Sequence, residues 1–258
     1  MTLTPRRRII SAVALSAILS TTLAGSASAT VSQDPTTTTT TTPPTTTVAP
    51  PVPPAPAAPP VLFHLPLGGE VLAEGANSPE VFLMQVTLVG RGFWLQDAPS
   101  NFGASTRHAL VAFQKYMGLP RSGKLDPFTR FVLGATMDRA TPNVPTFGRG
   151  VEVDIARQVM IVSENGVTNW VFDISTGKSS TPTPRGSFKV TRQINGQRIS
   201  KLGQLWRPKY FTGGYALHGS PSVPNYPASH GCVRMTNQEI NFIWDTNLIP
   251  VGTPVNLY

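Results

Sequence analysis

Cysteine is the residue type that this sequence most nearly lacks, since Cys232 stands alone among 258 residues. A lone cysteine excludes an internal disulfide, so Cys232 is either a small packing residue or a working thiol. Its neighbours favour a working thiol. Gly231 lets a ligand approach the backbone closely, and two imidazoles, those of His218 and His230, are near in sequence.

Acidic residues are also scarce. The sequence has 13 Asp and Glu against 21 Lys and Arg, which gives a formal net charge of +8. This excess of positive charge suits an anionic polymer of the cell envelope, and it could also suit nucleic acid. The sequence contains no basic cluster interleaved with aromatic residues, so we expect no nucleic-acid partner.

Long apolar runs are missing except near the N terminus, where Ile9 to Leu23 carries no charge. Three arginines precede this run and Ala27-Ser28-Ala29 follows it, which predicts a secretory signal peptide over residues 1–29. The run is short for a membrane span, which needs roughly 20 residues. The alternative is an uncleaved anchor, in which case the membrane is contacted through this segment alone. Either way the rest of the chain is expected outside the cytosol, secreted to the cell wall or periplasmic space, with a net charge of +5 without the three arginines.

Within residues 30–64, the stretch from Asp34 to Pro60 consists almost entirely of Thr, Pro, Ala and Val. Such a composition cannot form a packed core, so we expect a disordered Thr/Pro-rich linker. It acts either as an extended spacer that carries the working part away from the membrane or as a tail without a geometric role.

Residues 65–140 carry helical signals. Ala109, Leu110 and Phe113 recur at helical spacing within 106–116, with Thr106 as the expected cap and Gly118 as the end of the helix. The apolar pattern of 81–88 does not separate helix from strand. Thr106-Arg107-His108-Ala109-Leu110 returns as Thr129-Arg130-Phe131-Val132-Leu133, which predicts a helical module built from a duplicated unit.

Residues 147–258 are expected to be mainly β. Apolar residues alternate from Val151 and from Val159, and Asn165-Gly166 predicts a two-residue hairpin turn. A short strand is expected over 187–191, and the last strand over 254–258. One helix is signalled, because Thr236-Asn237-Gln238-Glu239 has the form of a capping box before an apolar face of Ile240, Ile243 and Trp244.

The candidate site is centred on Cys232. If 230–234 is extended, His230, Cys232 and Arg234 share one face, and His218 reaches the thiol from a neighbouring strand. A base next to the thiol can make it a nucleophile, and the backbone N–H groups of Gly231 and Cys232 could stabilise an oxyanion.

Three other interpretations are open from the residues alone. Cys232 can be a buried packing residue. His218, Cys232 and His230 together have the residue types of a metal site, although the sequence supplies no clear fourth ligand. His230 can be the base in place of His218, although it is close to Cys232 along an extended chain.

Four motifs occur in the order typical of one enzyme family. They are Ser175-Thr176-Gly177-Lys178, Thr181-Pro182-Thr183-Pro184-Arg185-Gly186-Ser187-Phe188, His218-Gly219 and Ser229-His230-Gly231-Cys232-Val233-Arg234-Met235. In this respect residues 147–258 resemble the L,D-transpeptidase (YkuD-type) catalytic domain, which implies a β-sandwich-like fold. The helical half resembles the three-helix peptidoglycan-binding module through Phe102-Gly103-Ala104-Ser105-Thr106, Ala112-Phe113-Gln114, Gly118-Leu119 and Asp126-Pro127-Phe128-Thr129. The expected architecture is therefore multidomain, with an all-α module and a mainly β catalytic domain.

The resemblance implies a role for each motif residue. Cys232 would be the nucleophile and His218 the general base, oriented by the main-chain carbonyl of Gly219. Ser229, His230 and Gly231 would shape the pocket, and Arg234 would bind a stem-peptide carboxylate.

The implied partners are peptidoglycan stem peptides and glycan. The implied reaction releases the terminal D-alanine of a tetrapeptide stem and joins the acyl group to an amine of a neighbouring stem. A transfer to water would make the enzyme a carboxypeptidase. No cofactor and no metal is implied, and acylation by carbapenem-type inhibitors is expected.

Overall fold

A computed structural model of the chain describes Leu65 and residues 68–136, 138–144, 146–200 and 203–258. The predicted signal peptide and the predicted Thr/Pro-rich linker lie outside these described residues. None of the helices within the described ranges is long and apolar enough to cross a membrane.

In the described part of the N-terminal half, three helices form, as the resemblance implied: α1 Pro79–Gly90, α2 Ala104–Tyr116 and α3 Pro127–Ala135. The apolar pattern of 81–88, which did not separate helix from strand, lies in a helix. This helix is favoured because the side chain of Ser78 caps its N terminus and Pro79 stands in its first turn. Helix α2 ends before Gly118, as predicted.

The prediction that Thr106 caps α2 is wrong. The helix begins two residues earlier, after Gly103, and Thr106 lies buried within its first turn. The capping acceptor comes from outside the helix, because the Asp97 carboxylate accepts the Thr106 N–H at 2.7 Å. A side chain nine residues upstream thus does what we expected of a local hydroxyl.

The helical module repeats one set of contacts, in line with the internal similarity of its sequence. The side-chain amide of Gln85 in α1 donates to the Thr106 hydroxyl at 3.0 Å, and that of Gln114 in α2 donates to the Thr129 hydroxyl at 3.2 Å. Each glutamine also donates to a backbone carbonyl and accepts a backbone N–H from the loop that follows its helix. Two helix–loop–helix units therefore share α2.

The described residues of the C-terminal half form two β-sheets and one helix. The strands are β1 Arg149–Asp154, β2 Val159–Glu164, β3 Val167–Asp173, β4 Gly186–Lys189, β5 Arg192–Gln193, β6 Gln197–Ser200, β7 Gly203–Thr212, β8 Tyr215–Ser220, β9 Val233–Thr236 and β10 Pro254–Leu257, and the helix is α4 Asn237–Asp245. The first sheet has the order β3-β2-β1-β10-β4, and the second has the order β5-β7-β8-β9 with β6 paired to β7.

The hairpin prediction is confirmed. Strands β2 and β3 are antiparallel, and Asn165 and Gly166 between them have φ angles of 52° and 79°. Positive φ at both positions is what a type I′ turn requires. The capping box at the start of α4 is also present, with Thr236 and Glu239 each accepting the other's backbone N–H.

The first sheet contributes residues to two different cores, one on each face. One face packs Val151, Val153 and Met160 into the core of the β half, and the other packs Val159, Ile161 and Val171 into the core of the helical module. The segment after α1 also pairs with β3, since Trp94 N–H donates to Val171 O and Val171 N–H donates to Gly92 O. The two halves therefore share a core and a sheet edge.

Candidate active site

Two adjacent parallel strands hold the predicted catalytic pair. His218 lies on β8, and Cys232 immediately precedes β9, which pairs with β8 in a register that places His218 opposite Arg234. Both side chains line one pocket with a volume of about 390 Å³, together with Ser229 and His230. The sequence-based expectation that His218 reaches the thiol region from a neighbouring strand is met by this topology.

The orientation of His218 is fixed by the main chain. Its Nδ1 lies 2.9 Å from the carbonyl oxygen of Gly219. Because a carbonyl oxygen only accepts, Nδ1 carries the hydrogen, and in the neutral ring the lone pair is on Nε2. The pKa of His218 is lowered to about 4, chiefly by burial and to a smaller extent by the positive charge of Arg234, against the opposing effect of the Gly219 hydrogen bond. His218 is therefore a neutral base at neutral pH.

Cys232 is a neutral thiol in the same environment. Burial raises its pKa, while a backbone hydrogen bond with Ala216 and the charge of Arg234 act in the opposite direction. Its Sγ donates weakly to Gly214 O at 3.9 Å. Within the described residues no hydrogen bond joins it to His218. A neutral thiol and a neutral imidazole are therefore the resting state of the pair.

A serine organises the turn before the thiol. The Ser229 hydroxyl donates to Cys232 O at 2.6 Å and accepts the Gly231 N–H at 3.0 Å. The Gly231 N–H, which we expected to stabilise an oxyanion, is thus directed to Ser229. The Cys232 N–H is the other donor that the sequence predicted for this role.

The shared face of His230, Cys232 and Arg234 was expected on the condition that 230–234 is extended, and this condition is not met by the first three residues. Strand β9 begins at Val233, and Gly231 has a φ of 108°, which only glycine adopts readily. A Cβ atom at this position would lie 2.3 Å from Cε1 of Tyr215. The turn nevertheless leaves His230, Cys232 and Arg234 on the same pocket.

The segment from Ser175 to Thr183 forms backbone hydrogen bonds with the residues on both sides of this turn. Ser175 and Arg234 exchange backbone hydrogen bonds at 2.9 and 3.0 Å, and Lys178 N–H donates to Ser229 O at 3.1 Å. Sequence reasoning assigned this segment no role of its own, and the order of the family motifs was its only signal. Its backbone contacts keep Ser229 and Arg234 in place.

The helical module also forms hydrogen bonds with the loop that precedes Cys232, a contact that sequence reasoning missed. Arg121 Nη1 donates to Asn225 O at 2.8 Å, and Asn225 Nδ2 donates to Arg121 O at 2.6 Å. Asn225 lies in the loop that connects His218 with Cys232. Since the two residues are 104 positions apart, no local pattern could indicate the contact.

The other predicted site residues take different positions. His230 is exposed, Arg234 is half-buried, and Cys232 is partly accessible from the pocket rather than sealed in a core. Among the described residues, the structure brings together no set of three His, Cys, Asp or Glu side chains that could hold a metal ion.

Comparisons with known proteins agree with this arrangement. Residues 148–257 match the family model described as "L,D-transpeptidase catalytic domain", and residues 77–133 match the one described as "Putative peptidoglycan binding domain". The crystal structure of an L,D-transpeptidase from Xylanimonas cellulosilytica is 40% identical with a TM-score of 0.70, over 75% of this chain and 100% of that one. A curated Bacillus subtilis protein named "Putative L,D-transpeptidase YqjB" is 33% identical over 116 residues, which are 38% of this chain. The match spans 64% of the length of that curated relative.

Proposed function

The chain belongs to the L,D-transpeptidase family, and from that premise we propose that it cross-links peptidoglycan by cysteine acyl transfer. The donor is a tetrapeptide stem that loses its terminal D-alanine. The acceptor is the side-chain amine of a neighbouring stem, so the product joins two third-position diamino acids. We further propose that the chain is exported and acts in the cell wall.

One observation carries this proposal. The Nδ1–H of His218 is held by the Gly219 carbonyl, which leaves the Nε2 lone pair available on the pocket that Cys232 lines. With a pKa of about 4, His218 is unprotonated at neutral pH and can accept the thiol proton. The thiol therefore needs to ionise only as it attacks.

The first half-reaction forms a thioester. His218 Nε2 takes the Sγ proton of Cys232 while the sulfur attacks the carbonyl carbon of the third stem residue. The bond to the D-alanine nitrogen then breaks, and that nitrogen receives the proton from His218 as D-alanine leaves. During attack the carbonyl oxygen becomes negative, and the Cys232 N–H is the donor that we assign to it.

The second half-reaction returns the enzyme to its starting state. The acceptor amine attacks the thioester carbon, and His218 takes the proton that the amine loses. The carbon–sulfur bond breaks, and the leaving sulfur regains its proton from His218. Arg234, opposite His218 in the parallel register, is the residue that we assign to a stem-peptide carboxylate.

The test uses the full chain with a purified disaccharide-tetrapeptide, followed by mass spectrometry. We expect a dimer lighter than two donors by one D-alanine. The Cys232→Ala and His218→Gln variants should form none. The matched control is Lys189→Gln, because Lys189 is exposed on β4 and does not line the pocket.

Two other outcomes would replace the proposal. A tripeptide without dimer would mean that water is the acceptor and that the enzyme is a carboxypeptidase. No product at all, with a correctly folded protein, would favour a wall-binding protein whose catalytic domain is idle.

We propose the wall itself as the partner of the helical module, on the basis of its match to a peptidoglycan-binding family. A pull-down with insoluble peptidoglycan tests this when the full chain is compared with a variant carrying changes on the exposed Phe128 and Phe131 of α3.

We also propose that carbapenems acylate Cys232. The β-lactam carbonyl would form a thioester with Sγ, and the whole-protein mass would increase by the mass of one inhibitor in the parent chain but not in Cys232→Ala.

A further inference from the structure

A second pocket lies in the helical module and shares no lining residue with the pocket of Cys232 and His218. It has a volume of about 660 Å³ and is lined by the last residues of α2 and α3 and by the chain that follows α3. Pockets of this size that combine aromatic side chains with a few polar groups are typical of small-molecule sites. No step of the proposed reaction uses this second pocket.

Three aromatic residues form a connected wall of the second pocket. Phe93 packs edge-to-face on Phe113, with ring centroids 5.5 Å apart, and on Tyr116, with ring centroids 6.0 Å apart. Phe93 and Phe113 are almost completely buried, and the Tyr116 hydroxyl accepts the Thr141 N–H at 3.0 Å. The rings are therefore held in place before a ligand binds, which lowers the entropic cost of binding.

Arg91, at the end of α1, brings a buried positive charge to the second pocket. Only 7% of this residue is exposed, and its Nη1 makes one long hydrogen bond of 3.4 Å to Thr87 O. Its Nε is enclosed without a hydrogen-bond partner, and none of the carboxylates in the described ranges forms an ion pair with it. Burial lowers the pKa of this guanidinium. A buried charge without a counter-ion is costly, so Arg91 is suited to an anion from outside the chain.

The other charged residues that line the second pocket do not balance Arg91. Arg139 already donates from its three guanidinium nitrogens to backbone carbonyl oxygens. Asp138 is exposed and forms no ion pair with Arg91. Two positive charges and one negative charge leave a net charge of +1, which one monovalent anion would neutralise.

We propose that the second pocket binds a small monocarboxylate that carries an apolar or aromatic group. The terminal nitrogens of Arg91 donate to the carboxylate, and the wall of Phe93, Phe113 and Tyr116 contacts the apolar group. This site is separate from the acyl-transfer site, and it does not depend on the proposed function.

The experiment is an NMR titration of the isotope-labelled full chain with three probes. N-acetyl-L-phenylalanine has both a carboxylate and an aromatic ring. N-acetyl-L-phenylalaninamide has the ring without the charge, and acetate has the charge without the ring.

Four variants are titrated beside the parent chain. Arg91→Met removes the charge at nearly constant length, and Arg91→Lys keeps the charge without the planar group. Ala135→Phe narrows the second pocket at an exposed lining position without changing its charge. Lys189→Met, the control, removes an exposed positive charge that lines neither pocket.

We expect N-acetyl-L-phenylalanine to bind roughly tenfold more tightly than either of the other probes. The resonances that move should be those of residues around Arg91 and Tyr116, not those around His218. Arg91→Met should remove the preference for the carboxylate, and Arg91→Lys should retain part of it. Ala135→Phe should weaken both aromatic probes, and Lys189→Met should change nothing. Arg91→Met should also be at least as stable to heat as the parent, because it removes an unpaired buried charge.

Three results would each overturn the proposal. The first is equal binding of the acid and its amide, or a preference that Arg91→Met leaves intact. The second is binding of acetate as tight as that of N-acetyl-L-phenylalanine, which would mean a simple anion site. The third is the absence of shifts around Arg91, which would leave this residue only as the cation at the C terminus of α1. The titration measures binding alone, so a parent chain without transpeptidase activity would still bind the probe if the site exists.

Discussion

Lys115 of α2 and Asp173 of β3 form an ion pair of 2.5 Å in which both side chains are almost completely buried. His108 of α2 contacts the other carboxylate oxygen of Asp173 at 2.7 Å. Each of these contacts joins the helical module to the β half. The ring of His108 is buried as part of this polar cluster.

Breaking this pair should destabilise the fold. In Lys115→Met the Asp173 carboxylate loses its main partner in a buried site, and we expect the free energy of unfolding to fall by about 3 kcal/mol. The matched control is Glu74→Gln, which removes an exposed ion pair with Arg107 and should cost less than about 1 kcal/mol. Urea denaturation measures both. If Lys115→Met is as stable as the control, the buried Lys115–Asp173 ion pair does not stabilise the fold as proposed.

Glu239 should make stability depend on pH. Its side chain is buried at the start of α4, and burial raises its pKa to about 7, with His108 lowering and Asp173 raising it to a smaller extent. Between the ordinary pKa of 4.5 and about 7, the folded state binds more protons than the unfolded state. This contribution to stability is therefore present below pH 4.5 and is lost as the pH rises through 7.

The substitution Glu239→Gln tests this sign. An amide oxygen can still accept the Thr236 N–H, but no charge is buried at high pH. The stability of the variant relative to the parent should increase from pH 5 to pH 8. Glu164→Gln, at a half-exposed site, is the control and should show no such trend. A constant difference for Glu239→Gln would show that the carboxyl does not titrate in this range.

The pH profile of activity should report the neutral catalytic pair. Since the pKa of His218 is about 4, the acid limb of kcat/KM should lie near pH 4 rather than near the ordinary histidine value of 6.5.

Since burial raises the pKa of Cys232, iodoacetamide should alkylate it more slowly at pH 7 than it alkylates a free thiol. The positive charge of Arg234 lowers the pKa of His218, so Arg234→Gln should move the acid limb upward. Rapid alkylation of the parent at pH 7 would instead indicate a resting thiolate.

A methyl group at Gly231 should damage the site more than the same change elsewhere. Gly231 and Gly252 both have a φ near 100°, but only Gly231 has a neighbour, the Tyr215 ring, within reach of a new Cβ. Gly252→Ala should cost roughly 1–2 kcal/mol of stability and leave turnover unchanged. Gly231→Ala should reduce kcat/KM roughly 100-fold, because it displaces the turn that holds the thiol.

A second substitution isolates the steric part of this effect. Tyr215→Ala in the Gly231→Ala background removes the clashing ring and should restore part of the activity. If Gly231→Ala has no greater effect on turnover than Gly252→Ala, the turn tolerates a side chain and the steric argument is wrong.

Local signals predicted local structure well. The Asn165-Gly166 hairpin and the capping box of α4 depend on neighbours within a few residues, and both are present. The order of the family motifs indicated that His218 and Cys232 lie near each other, and both line one pocket. Nothing in the residues alone determines the pairing of β8 with β9 that places them there.

Non-local contacts could not be predicted. Asp97, in the loop before α2, takes the place of Thr106 as the capping acceptor of this helix. His108 forms a buried contact with the carboxylate of Asp173, which is 65 residues away in sequence. Gly231 turns the chain because the Ser229 hydroxyl draws in its N–H, an interaction that the alternation argument for 230–234 did not include. In each case a side chain or backbone group from outside the local pattern determines the geometry.

The carbonyl that orients His218 belongs to the main chain, and this has a genetic consequence. A side chain that orients a catalytic histidine can be deleted by one codon change, whereas every amino acid at position 219 would retain the carbonyl oxygen. What restricts this position is space, since a Cβ on Gly219 would lie 2.6 Å from Cγ2 of Ile240 on α4. The same Cβ would also lie 2.7 Å from Oδ1 of Asn237 and 3.0 Å from Cδ1 of Trp206. Substitutions at 219 should therefore need smaller residues at both 237 and 240, so that drift at these positions is correlated while the orientation of the base persists.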